Sequence, residues 1–194
     1  TGQWPQGPMR LGRKVSGSRM GIVGLGRIGS AIAKRAQAFG MSVAYTTRTE
    51  RPGSGFAYYP TATALAAHVD FLVVITPGGQ GTKHLINADV LKALGPQGYL
   101  INVARGSVVD EAALVQALSD GSIAGAGLDV FADEPNVPQA LWGMPNVVLT
   151  PHMASATHQT RQAMADLAFA NMQAGLSGQP LLTPVPECKA QMGL

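Results

Sequence analysis

The 194-residue sequence predicts an α/β fold, a doubly wound parallel sheet with helices on both faces. From Arg19 onward, short apolar runs alternate with helix-like segments, the pattern of a parallel sheet covered on both sides. The first run then passes through Gly24-Leu25-Gly26-Arg27-Ile28-Gly29 into the small residues Ala31-Ile32-Ala33, which reads as strand, tight turn and helix. Finally, Arg105, Glu134 and His152 each follow an apolar run closely, so the fold brings all three to one edge of the sheet.

In chain order, strands are expected at 20–24, 41–45, 71–75, 99–103, 126–130 and 147–149, with a short weak one at 56–59. The first helix is expected at 30–39, stopped by Gly40 in a left-handed cap. A second covers 88–94 with Asn87 as N-cap. A third covers 111–118 after Asp110 and stops at Asp120-Gly121. Beyond Ser155 a long amphipathic pattern runs through Met164, Leu167, Ala168 and Met172 to Gly175. The tail with Pro180, Pro184 and Pro186 reads as irregular chain packed on a surface.

Apolar residues make up 46% of the chain and its net charge is +3. The mean hydropathy of +0.13 fits an ordinary globular protein. Lys and Arg are scattered, without the runs that mark nucleic-acid or membrane-surface binding. No membrane-spanning run or signal sequence is visible. Cys188 is the sole cysteine, which excludes an internal disulfide and fits a reducing cytoplasm. No metal site is assigned. The start at Thr1, running into Gln3-Trp4-Pro5-Gln6-Gly7-Pro8, reads as a linker, so a piece of a longer protein is expected.

The glycine turn is the first functional signal. Gly24 permits the tight turn, Gly26 lets the backbone approach a pyrophosphate, and Gly29 lets helix and strand pack closely. The helix start then offers free N–H groups and a favourable dipole to the anion. This is the pattern of a Rossmann dinucleotide-binding domain. Which dinucleotide is read at the end of the second strand. A carboxylate there suits NAD and repels a 2′-phosphate. Here the strand runs into Thr46-Thr47-Arg48-Thr49, and hydroxyls with a guanidinium suit a phosphate. Arg51 offers a second cation. Glu50 dissents, but it sits several residues past the strand end. NADP is favoured and NAD stays open.

The three polar residues at the sheet edge carry the chemistry. Ligands of open parallel sheets bind at the carboxyl ends of the strands. A cation, a carboxylate and an imidazole placed there suit hydride transfer to a small 2-oxo acid. Negative charge growing on the carbonyl oxygen needs a proton donor. An imidazole titrates near neutrality and can serve in both directions. Arginine's fixed fork matches a planar carboxylate.

The segments 24–29, 102–110, 127–135 and 150–157 resemble the signature stretches of the D-isomer-specific 2-hydroxyacid dehydrogenases. Within that family the chain is most similar to the glyoxylate/hydroxypyruvate reductases, through 46–49 and 147–157. The resemblance implies that Arg105 binds the substrate's carboxylate and carbonyl oxygen, that His152 is the acid/base, and that Glu134 partners His152. Asp129 would orient the nicotinamide carboxamide. Leu25, Gly26, Arg27 and Ile28 would hold the pyrophosphate, and Thr47, Arg48 and Thr49 the 2′-phosphate. Thr76 joins the cofactor residues, with Val103, Ala104, Met153 and Ala154 along the nicotinamide ribose.

By the same resemblance, residues 1–18 form a linker and dimerisation arm carrying Trp4, and the protein is a homodimer. Residues 19–154 form the dinucleotide domain, and 155–194 a crossover helix and tail toward an N-terminal substrate domain largely absent from this sequence. Three other readings stand beside an NADP-linked reductase. One is another D-2-hydroxyacid dehydrogenase, such as an NAD-linked one acting on phosphoglycerate. A second is a nucleotide-sensing scaffold of the corepressor type, and a third is an isolated domain that only binds nucleotide.

Overall fold

The computed structural model describes residues 11–185, so Trp4 and Cys188 lie outside the described residues. The chain divides into two compact units, 1–152 and 153–194.

In the first unit β1 (Arg19–Val23) leads into α1 (Arg27–Ala38) and β2 (Ser42–Thr46). β3 (Ala57–Tyr58), α2 (Ala62–Ala66) and β4 (Phe71–Val74) follow, then α3 (Ala88–Leu94) and β5 (Tyr99–Asn102). α4 (Glu111–Ser119), β6 (Gly125–Leu128) and β7 (Val147–Leu149) complete it. The strands form one seven-stranded sheet in the order β3-β2-β1-β4-β5-β6-β7. Every neighbouring pair is parallel. The chain therefore reverses its direction of winding between β1 and β4, which opens a crevice at their carboxyl ends.

Continuous apolar runs make this sheet because both faces are covered. In β4, for example, Leu72, Val73 and Val74 are all buried. One core cluster gathers Leu65, Leu72, Ile86, Leu91, Leu100 and Leu114, and a smaller one gathers Ile22, Leu25, Ala33 and Tyr45. Asn87 and Asp110 cap α3 and α4 as expected, accepting from the N–H groups of Val90 and Ala113. Gly40, at φ 68°, closes α1.

Two expectations need correction. The first helix starts at Arg27, not Ser30, because Gly26 is the extended N-cap and the Ser30 N–H already bonds its carbonyl at 2.8 Å. α2 was not foreseen: five residues are too few to display a helical period, although Thr61 caps it through the Ala64 N–H. Strand ends differ from expectation by a residue or two.

Asp70, just before β4, fixes the entry of the chain into the sheet. Its carboxylate accepts from Arg13 at 2.7 Å and from Arg19 at 2.8 Å, and also from the Arg19 backbone N–H. The hydrogen bonds from Arg19 hold its pKa at about 2, against an ordinary 3.8, despite an opposing effect of burial. A depressed carboxyl pKa gives stability that is complete above the unfolded value and lost as pH falls through the folded one. Asp70→Asn should therefore cost about 2 kcal/mol near neutrality, and the deficit should close between about pH 4 and pH 2. Urea unfolding of both proteins across that range checks it.

In the second unit, α5 (His158–Leu176) starts at the N-cap Thr157, whose hydroxyl accepts from the Thr160 N–H. The amphipathic pattern expected there does not bury a face in this chain: Met164, Leu167, Phe169 and Met172 are all exposed. The irregular segment after Gly178 folds back on the helix, where Asn171 exchanges two hydrogen bonds with Thr183. Among the described residues no helix is long and apolar enough to cross a membrane.

Candidate functional site

Five strands of the first unit deliver their following segments to one cleft of about 920 Å³. It is lined by Ile28 after β1, Thr76 after β4, Arg105 after β5, Glu134 after β6 and His152 after β7. The three residues singled out as reactive are thus brought together, beside the glycine turn.

The turn itself has the shape a pyrophosphate requires. Gly24 sits at φ 107°, and a Cβ there would come within 2.9 Å of the Thr76 nitrogen. A Cβ at Gly29 would come within 2.1 Å of the Gly24 carbonyl oxygen, so helix and turn could not approach as they do. At Gly26, by contrast, a Cβ would meet nothing within 4 Å, which leaves open space in front of the backbone. No side chain caps α1 and no acidic residue lies in its first turn. Its leading N–H groups and dipole remain available to an anion. The Leu25 side chain is buried in the core, so only its backbone is open to a ligand, whereas Ile28 is 62% exposed.

The loop after β2 adjoins this turn, because β1 and β2 pair and the Gly24 N–H bonds the Thr46 carbonyl at 3.0 Å. Thr47 is half-buried and donates its hydroxyl to the Thr49 carbonyl at 2.6 Å. Arg48, Thr49 and Glu50 are exposed.

At the reacting edge, His152 takes a positive φ of 49°, a conformation that a residue with a Cβ adopts rarely and that concentrates at functional sites. Its Nδ1 lies 2.7 Å from Glu134 Oε2. Glu134 Oε1 accepts from the Phe131 N–H at 3.0 Å, which fixes the carboxylate from its other side. The hydrogen bond to His152 and that backbone N–H lower the Glu134 pKa, with burial opposing and the charges of His152 and Arg105 assisting. The group is therefore an ionised acceptor, suited to orienting an imidazole rather than donating a proton.

Arg105 is exposed to the cleft. Its turn is held by buried Asn102, which donates to the Arg105 carbonyl at 3.2 Å and accepts from the Ala104 N–H at 3.1 Å. Gly106 lets this turn press on the loop after β6, since a Cβ there would sit 1.8 Å from the Phe131 carbonyl carbon. Glu111, at the start of α4, accepts from the Ala132 N–H at 2.8 Å and braces the same loop. Asp129 is buried and accepts the Thr150 hydroxyl at 2.6 Å. Val103 and Ala104 line the cleft. Met153 and Ala154 fall in the second unit.

Sequence reasoning missed Pro77, Gly78, Gly79 and Ser107, which also line the cleft. The signal was present for the first three, because Pro77-Gly78-Gly79 follows β4 at the same edge. Gly78 is needed there: a Cβ would approach Arg105 Cγ to 2.9 Å. Glu111 acts on a backbone group 21 positions away, so no spacing announces it, whereas Asn102 acts within its own turn, on groups two and three positions on.

Among known proteins, the model of the D-isomer specific 2-hydroxyacid dehydrogenase, NAD binding domain, matches residues 1–154. A hydroxyphenylpyruvate reductase of Plectranthus scutellarioides is 51% identical over 184 residues, 95% of this chain and 59% of its own length. Glyoxylate/hydroxypyruvate reductase A of Arabidopsis thaliana is also 51% identical, over 185 residues, again 95% of this chain and 59% of its own. A crystal structure of an NADPH-dependent glyoxylate/hydroxypyruvate reductase of Sinorhizobium meliloti, in complex with NADP and malonate, superposes with a TM-score of 0.91 at 57% identity. That match covers 96% of this chain and 59% of the other. The chain thus spans less than two thirds of the length of these relatives.

Proposed function

Because the chain belongs to the D-isomer-specific 2-hydroxyacid dehydrogenases, we propose that it is the cofactor-binding and catalytic portion of an NADPH-dependent reductase of a small 2-oxo acid such as glyoxylate or hydroxypyruvate. The His152–Glu134 pair, sharing one cleft with Arg105 beside the glycine turn, carries this reading. The nicotinamide, when bound, supplies the hydride.

The residues of the chain do the rest. The uncapped start of α1 and the open space at Gly26 receive the pyrophosphate, with Leu25, Arg27 and Ile28 contributing backbone there. Thr47, Arg48 and Thr49 take the 2′-phosphate, and Thr76, Val103, Ala104 and Asp129 attend the nicotinamide half. Arg105 grips the substrate's carboxylate and polarises its carbonyl oxygen. Glu134 occupies Nδ1 of His152, which leaves Nε2 to give a proton to the developing alkoxide. In the oxidising direction the same nitrogen removes the hydroxyl proton.

Two relatives of equal identity act on different side chains, hydroxyphenylpyruvate in one and glyoxylate or hydroxypyruvate in the other. The 2-oxo acid head is therefore the firmer part of the assignment. Cytoplasmic location belongs to the same reading, as does a homodimer through the region of Trp4 and the loop 131–146, where Trp142 is 65% exposed. Light scattering on the whole protein should give the dimer mass at micromolar concentration, and a monomer would remove that part.

The cofactor assignment is tested by titration calorimetry with both reduced nucleotides. NADPH should bind more tightly than NADH, and Arg48→Ala should weaken NADPH by about 1.5–3 kcal/mol while leaving NADH nearly unchanged. Preference for NADH would instead assign the loop to NAD and give Glu50 the role of ribose partner.

A further inference from the structure

The loop that presents Arg48 and Thr49 is anchored by two tyrosine hydroxyls rooted in the sheet. Tyr45 is fully buried among Ile22, Leu25 and Ala33. Its phenol accepts from the Arg51 backbone N–H at 2.8 Å and lies 3.2 Å from the Arg51 carbonyl, to which it donates. Tyr58, on the neighbouring strand, packs against it with ring centroids 5.5 Å apart. The Tyr58 phenol donates to the Thr47 carbonyl at 3.3 Å. One hydroxyl thus holds each end of the loop 47–51, and the Thr47 side chain closes it internally on Thr49.

We propose that Tyr45, assisted by Tyr58, is a positioning residue for cofactor specificity: the two phenols pre-set the loop in the shape that receives a ribose 2′-phosphate. Five exposed or half-buried polar residues would otherwise have to be ordered when the ligand arrives, at a cost in backbone and side-chain entropy. Holding both ends beforehand removes much of that cost. The effect is confined to the dinucleotide that uses the loop, so NADPH feels it and NADH does not. Neither tyrosine touches the phosphate; each acts through the backbone of its neighbour. The inference rests on the 2′-phosphate reading of Thr47, Arg48 and Thr49.

Tyr45→Phe removes the hydroxyl and keeps the ring that fills the core. The 194-residue chain, as wild type, Tyr45→Phe, Tyr58→Phe, the double variant and Arg48→Ala, is titrated with NADPH and NADH. Amide exchange at Arg51 is followed in the cofactor-free protein. Tyr45→Phe should weaken NADPH about 5–10-fold, leave NADH within about twofold and speed exchange at Arg51. Tyr58→Phe should show a smaller loss, and the double variant the largest. Equal losses for both nucleotides would mean that Tyr45 only supports the fold, and would overturn the inference. So would an unchanged NADPH preference in Tyr45→Phe when Arg48→Ala abolishes it. If the wild type shows no NADPH preference at all, the 2′-phosphate reading fails and the inference falls with it.

Discussion

Replacing His152 by alanine in the whole protein is expected to lower turnover with glyoxylate or hydroxypyruvate by about 10²–10⁴-fold, the usual worth of a positioned general acid. NADPH affinity should change far less. The imidazole is bound at Nδ1 by Glu134; in the proposed role it meets the substrate through its other nitrogen, so its loss would remove an interaction made mainly in the transition state. Stopped-flow turnover together with equilibrium NADPH titration separates the two effects. A loss confined to cofactor binding would place His152 outside the proton transfer.

Arg105→Ala should differ in kind. A guanidinium that grips the substrate's carboxylate and the reacting oxygen acts in both ground and transition states. Its removal should raise KM as well as lower kcat, the latter by about 10²–10³-fold, as for loss of a charged or polar group at a developing oxyanion. Arg105→Lys should recover only part of this, since a point charge cannot reproduce the planar fork. The turn around Arg105 is held by the Asn102 side chain and by the close approach at Gly106, and the Arg105 guanidinium adds only one hydrogen bond, to the Ala104 carbonyl. Alanine is therefore not expected to disturb the loop, and unchanged NADPH affinity would show that. Steady-state kinetics on both variants decide the matter. A rise in KM without change in kcat would reduce Arg105 to a binding residue.

The placement of these groups was legible because their physics is local. Each follows an apolar strand, and parallel strands deliver their carboxyl ends to one edge whatever the details of packing. The caps Asn87 and Asp110 and the stop at Gly40 were legible for the same reason. What escaped the sequence depends on distance or on short length. α2 is too brief for a period, and the helix onset at Arg27 was hidden by glycines that read as turn. The brace from Glu111 to the Ala132 N–H spans 21 positions. Even the nearby tether from Tyr45 to Arg51 needs the direction of a buried hydroxyl, which no pattern of apolar residues encodes.

The proposed reduction requires one chemical event above all, direct transfer of a hydride from the reduced nicotinamide to the carbonyl carbon of a 2-oxo acid. The whole protein should be incubated with NADPH carrying deuterium at both positions of nicotinamide C4, together with glyoxylate, and the product examined by mass spectrometry. The prediction is glycolate with one deuterium at C2, formed by the wild type and suppressed in step by His152→Ala and Arg105→Ala. Glycolate without deuterium, or no glycolate from a protein that binds NADPH tightly, would contradict the assignment of this cleft to 2-oxo acid reduction.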